Sequence, residues 1–247
     1  ALKAEAIAGA RHVAKYFGAD GDAKECQLAY HTPMMTGLWQ SVMEEDCSKM
    51  LNMLQNLPKR PNNTSWVHYI RCHDDIGWST LCDRKGADWG ASDEHIEALT
   101  AFYSGEAQHS FACGTRFQGT NAINGSLASL IGVEQALQHD DEKALDHALD
   151  RLRLIYATLY ALDGIPIIYM GDEIALLNDY DYRREDNHQD GRWLHRPKME
   201  WALSSLKPKH IALANTVKDY LQDLARKRKN IELLSADHEL EFLPTDT

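Results

Sequence analysis

The stretch Gly164-Ile165-Pro166-Ile167-Ile168-Tyr169-Met170-Gly171 constrains the fold more than any other part of this chain. It is apolar without alternation, the pattern of a strand covered on both faces, and such strands belong to parallel sheets with helices packed on them. Pro166 suits the start of that strand, where a missing N–H costs little. Three β-rich segments precede it: Leu2-Lys3-Ala4-Glu5-Ala6-Ile7, Cys26-Gln27-Leu28-Ala29-Tyr30 and Trp66-Val67-His68-Tyr69-Ile70-Arg71-Cys72. Helical patterns separate them. Residues 34–57 read as one helix ended by Pro58 and Pro61. Residues 141–162 place Leu145, Leu149, Leu152, Ile155, Tyr156 and Leu159 at spacings of three and four, with an acidic start and Gly164 just past the end. Residues 207–229 form a third helix, basic at its C-terminal end as the helix dipole prefers. Strands alternating with helices imply βαβ units and a parallel sheet.

Residues 76–125 break the rhythm, being rich in Gly, Asp and aromatics with one short helical pattern over 92–104. A structureless loop of that length is uncommon in a compact domain, so a folded excursion above the sheet is expected.

Composition narrows the partners. A net charge of −11 argues against nucleic acid or an anionic membrane, because phosphate neutralisation needs clustered Lys and Arg. Five cysteines without a CxxC pair are neither a disulfide framework nor a zinc site. No apolar run is long enough to span a bilayer, and residues 1–9 lack the basic region and apolar core of a signal peptide. The expectation is a cytoplasmic protein with free thiols.

Polar residues gather at the ends of the expected strands: Glu5, then His73-Asp74-Asp75, then Asp172-Glu173. In a parallel α/β barrel the strand C-termini share one face, and that face holds the active site. Carboxylates collected there from separate strands are the equipment of glycoside hydrolysis. A single strand-end carboxylate is as readily the cap of the next helix; recurrence at equivalent strand ends favours chemistry.

These residues resemble glycoside hydrolase family 13, the α-amylase superfamily. Lys3-Ala4-Glu5-Ala6 is similar to its fifth-strand motif, the segment from Val67 to Trp78 containing His73-Asp74-Asp75 to its seventh, and the segment from Gly164 to Glu173 to its eighth. Within the family the resemblance is nearest the amylosucrase and sucrose hydrolase branch, through Glu25-Cys26-Gln27-Leu28-Ala29-Tyr30, Leu177-Asn178-Asp179 and Asp190-Gly191-Arg192-Trp193-Leu194-His195-Arg196-Pro197. The implied fold is the C-terminal half, strands five to eight, of a (β/α)8 TIM barrel with a subdomain inserted after strand seven. Implied boundaries are 1–75 for strands five to seven, 76–125 for the insertion, 126–235 for helix seven, strand eight and helix eight, and 236–247 for the start of a C-terminal β domain.

The implied function is cleavage of α-glucosidic bonds in α-glucans or sucrose with retention, with amylosucrase-type glucosyl transfer and non-catalytic sugar binding as the alternatives. Glu5 is the implied acid/base, and Asp74 with His73 holds the ring hydroxyls. Asp75 meets the leaving sugar, and Arg192 pairs with an aspartate of the barrel's other half. The nucleophilic aspartate belongs to a fourth strand, in an Arg-x-Asp motif that does not precede Ala1, so the chain alone is expected to be inactive. It would need the N-terminal half of its barrel or associate through bare strand edges. Ala122 stands where the resemblance places an arginine for fructose, which favours hydrolysis over transfer. Trp78, Trp89 and Trp193 are candidate sugar-stacking residues, whereas Trp39 and Trp66 read as core. No cofactor is expected. Calcium at the acidic stretch 179–190 is set aside for a solvated loop, because the spacing is not that of an EF-hand.

Overall fold

The computed structural model describes residues 1–18, 23–82, 90–184, 189–199, 208–236, 238 and 240. In chain order its strands are β1 (Lys3–Ala4), β2 (Leu28–Tyr30), β3 (Ser65–Tyr69), β4 (Ile76–Gly77), β5 (Thr115–Arg116), β6 (Ala122–Asn124) and β7 (Ile165–Ile167). Its α-helices are α1 (Ala10–Val13), α2 (Thr32–Glu44), α3 (Ser48–Gln55), α4 (Asp93–Tyr103), α5 (Leu127–Leu130), α6 (Val133–His139), α7 (Glu142–Ala161) and α8 (Pro208–Lys229).

The four β-rich segments form one parallel sheet in the order β1-β2-β3-β7. Register sets Ala4, Ala29 and Trp66 side by side, and these pack with Val13 and Phe17 in a small apolar cluster. The larger core gathers Met34 and Leu38 of α2, Met53 of α3, Leu99 of α4, Leu152 and Ile155 of α7 and Leu213 of α8. β3 is buried along its whole length. β7 is only half-buried, unlike the strand covered on both faces that its sequence suggests, because β3 is its sole neighbour among the described residues.

The helix expected over 34–57 is two helices. Glu45 takes a left-handed conformation (φ 55°, ψ 26°) that ends α2. Asp46 Oδ1 then accepts hydrogen bonds from the Ser48 N–H and hydroxyl at 2.9 and 2.6 Å, holding the turn that opens α3. α7 and α8 stand where the periodicity places them. Asp141 caps α7 by accepting from the Ala144 N–H at 2.9 Å. At its other end Arg228 of α8 donates to the carbonyls of Tyr160 and Gly164 at 2.6 and 2.7 Å, supplying partners where α7 has run out of its own. Gly164 (φ 73°) admits no side chain, since a Cβ there would stand 2.5 Å from the Trp66 carbonyl.

Between β3 and α5 the chain makes a 3₁₀ turn at Trp78–Cys82, then α4, then a three-stranded antiparallel sheet in the order β4-β6-β5. Gly114 lies against Tyr103 and Leu130, and Gly125 against Leu130, too closely for an added side chain. The segment is tied to the parallel-sheet layer by the Tyr103 hydroxyl, which donates to the Trp39 carbonyl, and by Arg71 Nε, which donates to the Gly125 carbonyl.

Candidate active site

Glu5 follows β1 and His73-Asp74-Asp75 follow β3, so parallel pairing delivers them to the same end of the sheet. His73 Nε2 lies 3.3 Å from Glu5 Oε1 and 3.6 Å from Asp74 Oδ2. Side chains of Glu5 and His73 are more than half exposed, whereas that of Asp74 is 24% exposed. A cleft joins these three to Asp75, Tyr30 and Tyr69, and the two tyrosine rings meet edge to face at 5.0 Å.

Asp74 is held from the side by the segment 190–196. Arg192 Nη1 donates to Asp74 Oδ1 at 2.8 Å, and Arg196 Nη2 reaches the same oxygen at 3.3 Å. Asp190 fixes Arg192 in turn. Its carboxylate accepts from Arg192 Nε and Nη2 at 3.0 and 2.5 Å, and from the Arg192 backbone N–H at 2.9 Å. Those bonds to Arg192 pull the Asp190 carboxyl down to about 2 and push the guanidinium upward. Arg192 is thus bound within this chain, by Asp190 and Asp74, and its guanidinium lies 5.1 Å from the Phe117 ring. Backbone is gripped as well: the His73 carbonyl accepts from Arg196 Nε at 2.6 Å and from His195 Nε2 at 3.2 Å. His195 is 1% exposed, and burial, reinforced by the Arg71 charge, drives its imidazole down to about 2. It is a neutral hydrogen-bond donor.

Glu5, His73 and Asp74 present donor atoms within 4.8 Å of one another, a spacing a metal ion could bridge. Two guanidiniums on Asp74 make that corner a poor host for a dication. The arrangement is suited instead to a neutral, hydroxyl-rich ligand: one exposed carboxyl, one imidazole and one braced carboxylate, in a cleft lined by two tyrosines.

Three expected participants are elsewhere. Trp78 is 1% exposed, and its ring stacks on Tyr103 at 5.7 Å inside the core. It offers no face to a sugar, because the 3₁₀ turn after β4 points it inward beneath α4. Asp172 is buried at 3% exposure with its Oδ2 accepting from the Tyr156 hydroxyl at 2.9 Å, and Glu173 accepts from the Gly171 N–H at 2.7 Å. Both serve the turn after β7 and stay out of the cleft. Trp193 is half-buried with Arg196 5.6 Å from its ring; Trp89 lies outside the described residues. Trp39 and Trp66 are core. Asn178 links the turn after β7 to the segment between β3 and α5 and to the cap of α5, its side chain binding the Cys113 carbonyl and the Ser126 N–H at 2.6 and 2.8 Å. Sequence reasoning passes over Arg71 and His195 as individuals. Their only signal is position, two residues before His73 and inside the quoted Asp190-to-Pro197 stretch.

No family model matches the chain. Among curated proteins, it is 26% identical over 176 residues to a trehalose synthase/amylase of Mycolicibacterium smegmatis, an alignment covering 71% of this chain and 24% of that protein. It is 26% identical over 165 residues to a glucosylglycerate phosphorylase of Escherichia coli, covering 67% of this chain and 27% of that one. Among solved structures, the sucrose 6F-phosphate phosphorylase from Thermoanaerobacter thermosaccharolyticum superposes with a TM-score of 0.58 at 18% identity, over 94% of this chain and 41% of that one. These relatives point to the α-amylase superfamily. The chain spans about a quarter of the length of the curated relatives it matches. No helix among its described residues is long and apolar enough to cross a membrane.

Proposed function

We propose that this chain is the strand-five-to-eight half of the (β/α)8 barrel of a retaining α-glycosidase acting on α-glucans or sucrose, with residues 76–125 as an insertion after strand seven. The observation that carries this is the meeting of Glu5, His73 and Asp74 at one end of four parallel strands. In this reading Glu5 protonates the departing glycosidic oxygen and then takes a proton from the incoming water. Asp74, steadied by Arg192 and Arg196, holds ring hydroxyls through the oxocarbenium-like state, with His73 donating beside it. Asp75 meets the leaving sugar. The nucleophile comes from the part of the parent enzyme that completes the barrel.

Hydrolysis is favoured over transfer. Ala122 carries no group for the leaving sugar, and the neighbouring Arg116 is committed to Glu97 and Glu106 at 2.5 and 2.8 Å. Losing a forked cationic donor weakens a sugar subsite by about 1.5–3 kcal/mol. Phosphorolysis, suggested by the names of two relatives, needs an open cation for phosphate; Arg192 and Arg196 are both taken up by Asp74, Asp190 and the His73 carbonyl.

Titrating the 247-residue chain with maltotriose and following backbone NMR shifts tests the site. Shifts should centre on residues 5 and 73–75 and vanish in Asp74→Asn, with no turnover of maltotriose or sucrose. Turnover by this chain alone would overturn the assigned roles. The intact parent should release glucose from maltooligosaccharides or sucrose, and accumulation of insoluble glucan from sucrose would establish transfer instead.

A further inference from the structure

Arg71 continues the line of β3 toward the His73-Asp74 turn, yet it is 1% exposed. None of the carboxylates among the described residues forms an ion pair with it at 4 Å or less. Burying an arginine this way is costly, and stability alone favours an apolar side chain at such depth. What a guanidinium adds is a rigid fork of donors. Here the fork spans two segments that the sheet does not connect. Nε donates to the carbonyl of Gly125, just past β6, at 3.0 Å, and Nη2 donates to the carbonyl of Asp74 at 3.0 Å. Nη1 has no partner among the described residues.

Arg196 Nε and His195 Nε2 hold this turn at the His73 carbonyl; Arg71 holds it one residue further on, at the Asp74 carbonyl. β3 ends at Tyr69, and among the described residues the Asp74 N–H meets the Cys72 sulfur at 3.4 Å and no other acceptor. Arg192 and Arg196 act on the Asp74 carboxylate from the cleft side, while Arg71 takes the backbone carbonyl of the same residue from the interior. It lines no part of the cleft.

We propose that Arg71 is a positioning residue: it fixes the height and tilt of the His73-Asp74 turn by tying the Asp74 carbonyl to Gly125 of the inserted segment. The side chain touches no ligand. Its effect on sugar binding passes through Asp74, so this inference rests on the sugar-site reading of Glu5, His73 and Asp74. A consequence is that the inserted segment and the site are mechanically linked through one buried side chain.

Amide hydrogen exchange of the whole chain, in wild type, Arg71→Met and Arg71→Lys, measures the clamp without any ligand. In Arg71→Met the amides of residues 73–75 should exchange at least about tenfold faster, while those of β2, β3 and α7 keep their protection. Arg71→Lys can reach one of the two carbonyls and should lie between. Should Arg71→Met fail to fold, Arg71→Lys decides by the same amides. Unchanged exchange at 73–75 in a folded variant overturns the proposal. Maltotriose affinity, measured in parallel with Asp74→Asn as control, should fall at least about tenfold in Arg71→Met. Absence of maltotriose binding in the wild type would refute the sugar site, whereas the exchange rates would still decide the clamp.

Discussion

Asp74 and Asp172 sit beyond the ends of neighbouring strands and meet opposite surroundings. Asp74 faces two guanidiniums at the cleft. Asp172 lies in the core against a tyrosine hydroxyl, and burial pushes its carboxyl up to about 7, with Glu173 adding to the rise against the Tyr156 bond and Arg71. The sign of the linkage follows. An unfolded Asp loses its proton near 3.8 whereas the folded one keeps it to about 7. The stability this group contributes is therefore complete below the lower value and lost as pH rises through the upper one. Asp172→Asn keeps an acceptor for Tyr156 and cannot ionise. Urea unfolding at pH 5 and pH 8 should show the variant gaining about 2–3 kcal/mol on the wild type across that interval; a constant difference would refute it. At this scale the sequence marks which polar residues follow the strands but not which way they point. The meeting of Glu5 with His73 and Asp74 is legible because parallel strands deliver the residues after them to one end of the sheet. Trp78 is not, because an aromatic after a strand looks the same whether it meets a ligand or a core, and only the packing of α4 decides.

Element boundaries show a similar division. α7 and α8 were legible because each is an unbroken period of apolar residues with chemically distinct ends. The break between α2 and α3 was not, since acidic runs occur within helices and this one, Glu44-Glu45-Asp46, is followed by Cys47 with neither Gly nor Pro to mark a stop. The turn is made by an Asp46 side chain reaching Ser48 and by Glu45 at positive φ. A non-glycine residue there is strained, so Glu45→Gly should stabilise the protein by about 0.5–1 kcal/mol in urea unfolding. Destabilisation would mean that Glu45 contributes more through its charge near Arg151. The start of α2 carries a second test. His31 is 2% exposed and caps the helix by accepting from the Met34 N–H at 3.0 Å. Its ring stacks on buried His68 at 5.2 Å, with Asp163 3.6 Å from His68. Burial lowers both imidazoles, the His31–His68 repulsion adding to it for His31 and Asp163 opposing it for His68. A depressed histidine is neutral when folded but protonates on unfolding below about 6.5, so stability is present above that pH and lost as pH falls. His31→Asn retains a capping acceptor and should flatten the acid limb of the stability curve by up to about 1.4 kcal/mol per pH unit. An unaltered acid limb would show that His31 protonates freely in the folded state.

At the scale of the molecule, four parallel strands were legible from hydrophobic pattern alone, whereas their incomplete cover was not. A strand apolar on both sides implies neighbours without saying which chain provides them. β1 and β7 each have one partner among the described residues, so the sheet presents two bare edges. Leu2 and Ile7 beside β1 are 65% and 55% exposed, and Met170 beyond β7 is 45% exposed. Unpaired N–H and C=O groups flanked by apolar side chains template association. The two edges are complementary: β1 of one copy can lie parallel to β7 of another, and two such contacts would bring eight strands together with both Glu5–His73–Asp74 sets at the same end. Light scattering on this 28.0 kDa chain should therefore report a mass that rises with concentration toward at least twice the monomer. Leu2→Lys with Met170→Lys places like charges on both edges and should return it to monomer without loss of far-UV ellipticity, since both side chains are already in solvent. A wild-type monomer at every concentration would show that these edges are too short to pair, at two and three residues, and that closure of the sheet depends on strands of a different sequence.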